Sequence, residues 1–235
     1  MNRFRSAVLM GCPIVALLAI LFAGCSITQP TVKVDYYQLD YPSPASTQPR
    51  QLDVVLGIRR FGIAAAYDHD RLEERDKGFR TTQSYYHRWV NNPRMMLSDL
   101  LLRDVQASGN YKAVVMLPAN VLPDYEINGF VQDIVKDNTG PAPQVVISMD
   151  VTLLRNQDRP SQSRVVFQKT YASQIPCPDN SPSGIAKAMS QAFADISSRI
   201  QQDVCEMLQK AMMENNPPVP AAEPPVSPVP QPVKP

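Results

Sequence analysis

The sequence predicts an α/β protein, a mixed β-sheet covered by helices. Three observations predict it: several segments alternate apolar and polar residues with the period of a strand, two others carry a single apolar stripe at helical spacing, and the two kinds of signal alternate along the middle of the chain. The 235 residues, 44% hydrophobic and 19% charged, suffice for one good core, while two full domains would be a stretch. A net charge of +1 offers no electrostatic footprint for nucleic acid. Pro is abundant at 23 and Gly scarce at 9, which argues against Gly-rich phosphate loops and for rigid extended segments.

The N-terminus reads as an address. Arg3 and Arg5 precede an uncharged stretch over residues 6–24 that ends in Leu21-Phe22-Ala23-Gly24-Cys25. A basic region, an apolar region and small residues before a cysteine make a bacterial lipobox, so residues 1–24 are expected to be a lipoprotein signal peptide. Cleavage would fall between Gly24 and Cys25, with Cys25 carrying the covalent lipid (diacylglyceryl and palmitate-type chains). An uncleaved transmembrane anchor is the rival reading, since 19 residues approach the roughly 20 needed to span, but Pro13 would strain a permanent helix. Ser26 stands where an Asp would resemble the inner-membrane retention signal of enteric bacteria, so the expected location is the periplasmic face of the outer membrane. Losing residues 1–24 removes two Arg and no acid, leaving 21 basic and 22 acidic residues. Residues 25–34 read as a lipidated tether.

The domain proper is expected over residues 35–214. Tyr37, Leu39 and Tyr41 share one face of a first strand; Leu52, Val54, Leu56 and Ile58 share one face of a second. Residues 71–75 and 81–86 flank Asp76-Lys77-Gly78 and pair as a polar hairpin. Asn92 offers an N-cap oxygen and Pro93 suits the first helical position; Leu97, Leu100, Leu101 and Val105 follow at helical spacing until Gly109 caps the end. A strand over residues 111–117 precedes three longer ones over 125–135, 145–154 and 165–175, joined closely enough for an antiparallel meander. The apolar phase of the first of these shifts near Gly129-Phe130, which suggests a bulge. Ser181-Pro182 opens a last helix whose stripe runs from Ile185 through Met189, Phe193, Ile196, Ile200, Val204, Met207 and Leu208 to Ala211. Residues 215–235 form a Pro-rich tail, with nine prolines between Pro217 and Pro235, expected to be disordered or polyproline II and to reach up to about 59 Å at ~3.1 Å per residue.

Chemistry is sparse. His69 in Asp68-His69-Asp70 cannot converge with its two neighbours on one metal ion from a single loop, and His87 beside Trp89 reads as part of an aromatic cluster. No G-x-S-x-G, Walker A, G-x-G-x-x-G or H-E-x-x-H pattern occurs, so neither catalytic nor metal residues are assigned and no cofactor is expected beyond the covalent lipid. Cys177 and Cys205 are a candidate disulfide in an oxidising compartment. A straight helix from Ser183 would carry Cys205 about 33 Å along it, whereas the loop reaches back about 20 Å. Either that helix starts late or kinks near Ser197-Ser198, or the thiols stay apart.

A lipobox, Tyr36-Tyr37-x-Leu39, the strand Leu52-x-Val54, Tyr85 to Trp89 leading through Pro93 into a Leu-rich helix, and Tyr125-x-Ile127-x-Gly129 followed by a meander and long helix together resemble the ABC-type transport auxiliary lipoproteins, the group of paraquat-inducible protein C. That resemblance implies a three-layer α/β/α fold on a mixed sheet, similar to the N-terminal domain of TolB, and no enzymatic activity. It implies a docking or assembly subunit of an intermembrane lipid transport system, with an MCE-domain protein and an inner-membrane transport complex as partners and homo-oligomers in some relatives. The alternative is an envelope assembly or stress lipoprotein that binds peptidoglycan or a secretion machine; a periplasmic hydrolase is the third reading.

Overall fold

A computed structural model describes residues 32–44, 51–156 and 164–215. The expected signal peptide, Cys25 and the Pro-rich tail lie outside them. The chain divides after Lys33, and every element below belongs to the second unit, Val34–Pro235. In order these are β1 (Asp35–Tyr37), β2 (Leu52–Arg59), β3 (Gly62–Ile63), a 3-10 turn (Ala65–Tyr67), β4 (Arg71–Asp76), β5 (Arg80–Trp89), α1 (Pro93–Ala107), β6 (Tyr111–Leu117), β7 (Tyr125–Asp137), β8 (Gln144–Arg155), β9 (Arg164–Pro176) and α2 (Pro182–Asn215).

The spine of the mixed sheet is β7. One edge pairs antiparallel with β8 from Tyr125↔Arg155 to Asp137↔Gln144. The other edge takes three parallel partners in succession: β2 at Leu56↔Tyr125, β3 at Gly62↔Phe130 and β4 at Glu74↔Lys136. Outside these, β6 lies parallel on β2, β5 antiparallel on β4, β1 parallel on β5, and β9 antiparallel on β8. The meander β7-β8-β9 is as predicted. The bulge falls between Val131 and Asp133, slightly beyond the phase shift near Gly129-Phe130.

The sheet and its two covering helices form the predicted α/β arrangement. Val145, Ile147, Met149, Val151 and Leu153 of β8 are fully buried, in one core with Ile185, Met189, Phe193, Ile196 and Ile200 of α2. Each such side chain contributes about 1.5–3 kcal/mol. α1 packs on β6 and β2 and also meets α2 directly, so the helices sit side by side where Ser197 reaches Asp104. Its ends follow the predicted caps: the Asn92 side chain accepts from the Arg94 amide at 3.1 Å, and Gly109 adopts φ +64° beyond the last turn.

The first strand is shorter than its alternation implies. β1 ends at Tyr37, yet Leu39 and Tyr41 stay buried because the chain leaves the sheet and runs under the helices. There the Asp40 amide donates to Ser190 Oγ at 3.0 Å, and Tyr41 donates its hydroxyl to Asp104 Oδ2 at 2.6 Å. Among the described residues no helix is long and apolar enough to cross a membrane.

Candidate interaction surface

Most polar groups with a chemical look are spent inside the fold. The acids around His69 diverge: Asp68 Oδ1 accepts from Asn92 Nδ2 at 2.8 Å, and Asp70 Oδ2 lies 3.4 Å from Arg88 Nη1. His69 Nδ1 accepts from the Arg71 amide at 3.1 Å, and its Nε2 lies 3.1 Å from Gln83 Nε2 and 2.8 Å from Glu73 Oε1. That approach is close enough for an ion pair but poorly directed, so neither Glu73 oxygen has a sound donor, and burial raises the Glu73 carboxyl above its ordinary range. Among the described residues no group of three His, Cys, Asp or Glu side chains could hold a metal ion. His87 stacks edge-on against Tyr37 with ring centroids 5.9 Å apart.

The bridge considered between Cys177 and Cys205 is not formed. Both are buried free thiols. α2 begins at Pro182 and continues through Ser197 and Ser198, which places Cys205 about 34 Å from the helix start at ~1.5 Å per residue. Cys177 instead donates to the Asp179 carbonyl at 3.2 Å, and Cys205 accepts from Gln209 Nε2 at 3.7 Å. Burial pushes both thiols up, which keeps them protonated and unreactive.

Three tyrosines share one device, each giving its hydroxyl proton to an aspartate that also faces a cation. Tyr41 donates to Asp104, which Arg103 holds through Nε at 2.9 Å and Nη2 at 2.7 Å. Tyr67 donates to Asp133 at 2.9 Å, with Arg75 on the same oxygen. Tyr171 donates to Asp203 at 2.5 Å, beside Lys169 at 2.6 Å. Burial first, then the neighbouring carboxylate, pushes all three phenols upward, so they act as permanent donors. These clasps fasten elements together.

An exposed aromatic group lies on the β4-β5 hairpin. Phe79 is fully exposed at its tip, at φ +62° directly after Gly78 at φ +76°. Tyr85 and Tyr86 are exposed and stacked edge to face at 5.1 Å, and the Arg88 guanidinium lies 5.5 Å over the Tyr85 ring. Tyr36 of β1, 61% exposed, is the register partner of Arg88. β1 pairs with β5 only from His87 to Trp89, so among the described residues the outer edge of β5 from Arg80 to Tyr86 has no strand beside it. Buried Trp89 and Leu72 anchor the base of the hairpin in the core. The expected hairpin is therefore present. Phe79 was not singled out by the pattern; its signal is a bulky apolar residue next to Gly in a turn between polar strands.

A family model for the ABC-type transport auxiliary lipoprotein component matches residues 37–201. No curated protein matches the chain. A solved protein from Xanthomonas campestris superposes with a TM-score of 0.68 at 20% identity, covering 77% of this chain and 99% of its own. A second solved structure, of an uncharacterized protein, gives a TM-score of 0.56 at 15% identity over 73% of this chain and 99% of its own. At such identities these likenesses establish the fold.

Proposed function

The chain belongs to the ABC-type transport auxiliary lipoprotein family, and from that premise we propose that it is a non-enzymatic docking subunit of an intermembrane lipid transport system. In this reading acyl chains on Cys25 hold it at the periplasmic face of the outer membrane, each buried methylene contributing about 0.8 kcal/mol. The hairpin of β4 and β5 binds an MCE-domain protein that is coupled to an inner-membrane complex. The observation that carries the reading is the open β5 edge flanked by Phe79, Tyr85, Tyr86 and Arg88. Exposed Tyr, Phe and Arg supply the anchors that dominate protein interfaces, and an unpaired edge offers backbone donors and acceptors to a partner strand.

The test is affinity capture of the full-length acylated protein from solubilised envelope, beside a Phe79→Asp, Tyr85→Ala variant. The wild type should recover an MCE-domain protein and its inner-membrane permease, and the variant should recover at least about tenfold less, since two anchors at ~1–2 kcal/mol each are lost. Equal recovery by both, or no MCE-domain protein with the wild type, would count against the reading.

A further inference from the structure

At the end of the sheet opposite the bulged half of β7, three cations from three elements converge on one cavity. It has a volume of about 340 Å³ and is lined by Tyr125, Arg155, Arg164, Val165, Met207 and Lys210, among others. Arg155 and Arg164 are direct cross-strand partners on β8 and β9, and Arg155 is also the partner of Tyr125 on β7. Like charges placed opposite each other in an antiparallel ladder are destabilising. Lys210 adds a third positive charge from the last turns of α2.

Nothing among the described residues neutralises them. Among the described residues no carboxylate lines the cavity, and none of the three cations takes part in an ion pair with them. Asp158, between Arg155 and Arg164, and Glu214, one turn beyond Lys210, lie outside the described side chains, and the nearby acids that are described are committed elsewhere. Glu126 is held by Arg59 at 2.6 Å and 3.0 Å, Asp203 by Lys169 and Tyr171, Glu206 accepts from Gln202 at 2.9 Å, and Asp124 accepts from the Val55 amide at 2.7 Å. Like charges gathered from three elements, with no counter-charge among the described residues, mark a place where a ligand can supply it.

We propose that this cavity binds a phosphate group, carried by the headgroup of an anionic phospholipid or present as free phosphate. Two guanidinium groups offer forked donors that match phosphate oxygens, and the lysine ammonium adds a point charge. The remaining wall is apolar, with Val165 exposed at 56% and Met207 beside it, which suits the glycerol and first methylenes of a lipid. The volume accommodates a headgroup and not a whole diacyl lipid. The site stands on its own geometry and needs neither the anchor nor the partner named above.

The experiment uses the full-length protein in neutral detergent, titrated with inorganic phosphate, with short-chain phosphatidylglycerol, and with short-chain diacylglycerol as the phosphate-free control. Binding is read by calorimetry and by the unfolding temperature. Phosphate and phosphatidylglycerol should each raise the unfolding temperature, and diacylglycerol should not. Affinity for phosphatidylglycerol at least about tenfold above that for phosphate identifies the lipid as the source; equal affinities identify free phosphate. Lys210→Gln should weaken binding about tenfold, the loss of one charge-assisted contact. Arg164→Glu should abolish binding while raising the unfolding temperature of the free protein, because it turns a repelling pair into an attracting one. Absence of binding by both phosphate ligands, or undiminished binding by Arg164→Glu, would overturn the proposal.

Discussion

Ser197 on α2 donates its hydroxyl proton to Asp104 on α1 at 2.6 Å, across 93 residues of chain, at a point where both side chains are fully buried. The same oxygen accepts from Tyr41, so a single carboxylate ties both helices to the segment that follows β1.

Replacing that carboxylate should therefore unlock three elements together. Asp104→Ala leaves the Tyr41 and Ser197 hydroxyls without an acceptor and Arg103 without its partner, for an expected loss of about 3–5 kcal/mol. Ser197→Ala, which removes one donor only, should lose about 1–2 kcal/mol. Urea denaturation followed by circular dichroism measures both; a loss under about 1 kcal/mol for Asp104→Ala would refute the clasp.

Glu73 should give the protein a stability term of the opposite pH sense to most carboxylates. Burial is the main cause of its raised pKa, opposed by Gln83, His69 and Arg71 around it. The folded state keeps the proton where the unfolded chain, near its ordinary 4.5, has released it. Its contribution is complete below that value and lost as pH rises through the raised one. Glu73→Gln removes this term, so the variant's unfolding temperature should gain on the wild type from about pH 4.5 upward. By pH 8 the variant should melt measurably higher relative to the wild type than it does at pH 4. Parallel curves for the two proteins from pH 4 to 8 would contradict it.

Gly129 is required for close packing. A Cβ there would meet Phe61 Cδ1 at 2.6 Å and Cε1 at 2.8 Å, and Phe61 is itself buried and cannot swing out. Gly129→Ala should cost about 1–3 kcal/mol in chemical denaturation. Gly140, whose added Cβ would come no closer than 3.7 Å to anything, is the control, and Gly140→Ala should change stability by less than about 0.5 kcal/mol.

Sequence pattern reached the elements that carry their own period. β6 to β9 and both helices were legible because each buries one face over several repeats, and the Asn92-Pro93 start of α1 has local chemistry. β3, two residues long, has no period to show. Leu39 and Tyr41 misled for the converse reason: they alternate with exposed neighbours and are buried, but by helices instead of a sheet. Strand order was out of reach because β7 takes three partners in turn along one edge, a non-local choice with no local signature. The same holds for the cavity: Arg155 and Arg164 stand opposite each other only through the register of β8 and β9, and Lys210 joins them only because α2 packs across that end. The aromatic run from Tyr85 to Trp89 was visible, yet which of its rings face outward depends on the irregular pairing of β5 with β4 between Arg71 and Glu73.

Phe79 offers a way to separate stability from recognition. A bulky residue in the left-handed region strains its backbone by about 1–2 kcal/mol, and with no burial Phe79 gains nothing in return within the domain. Phe79→Gly should thus stabilise the protein by roughly 0.5–1 kcal/mol once the greater freedom of glycine in the unfolded chain is subtracted. If the hairpin tip is retained for a partner, the same variant should lose partner recovery while melting higher. A mere turn residue would show the gain in stability with recovery intact. Measuring unfolding and envelope capture on the one variant decides between the two.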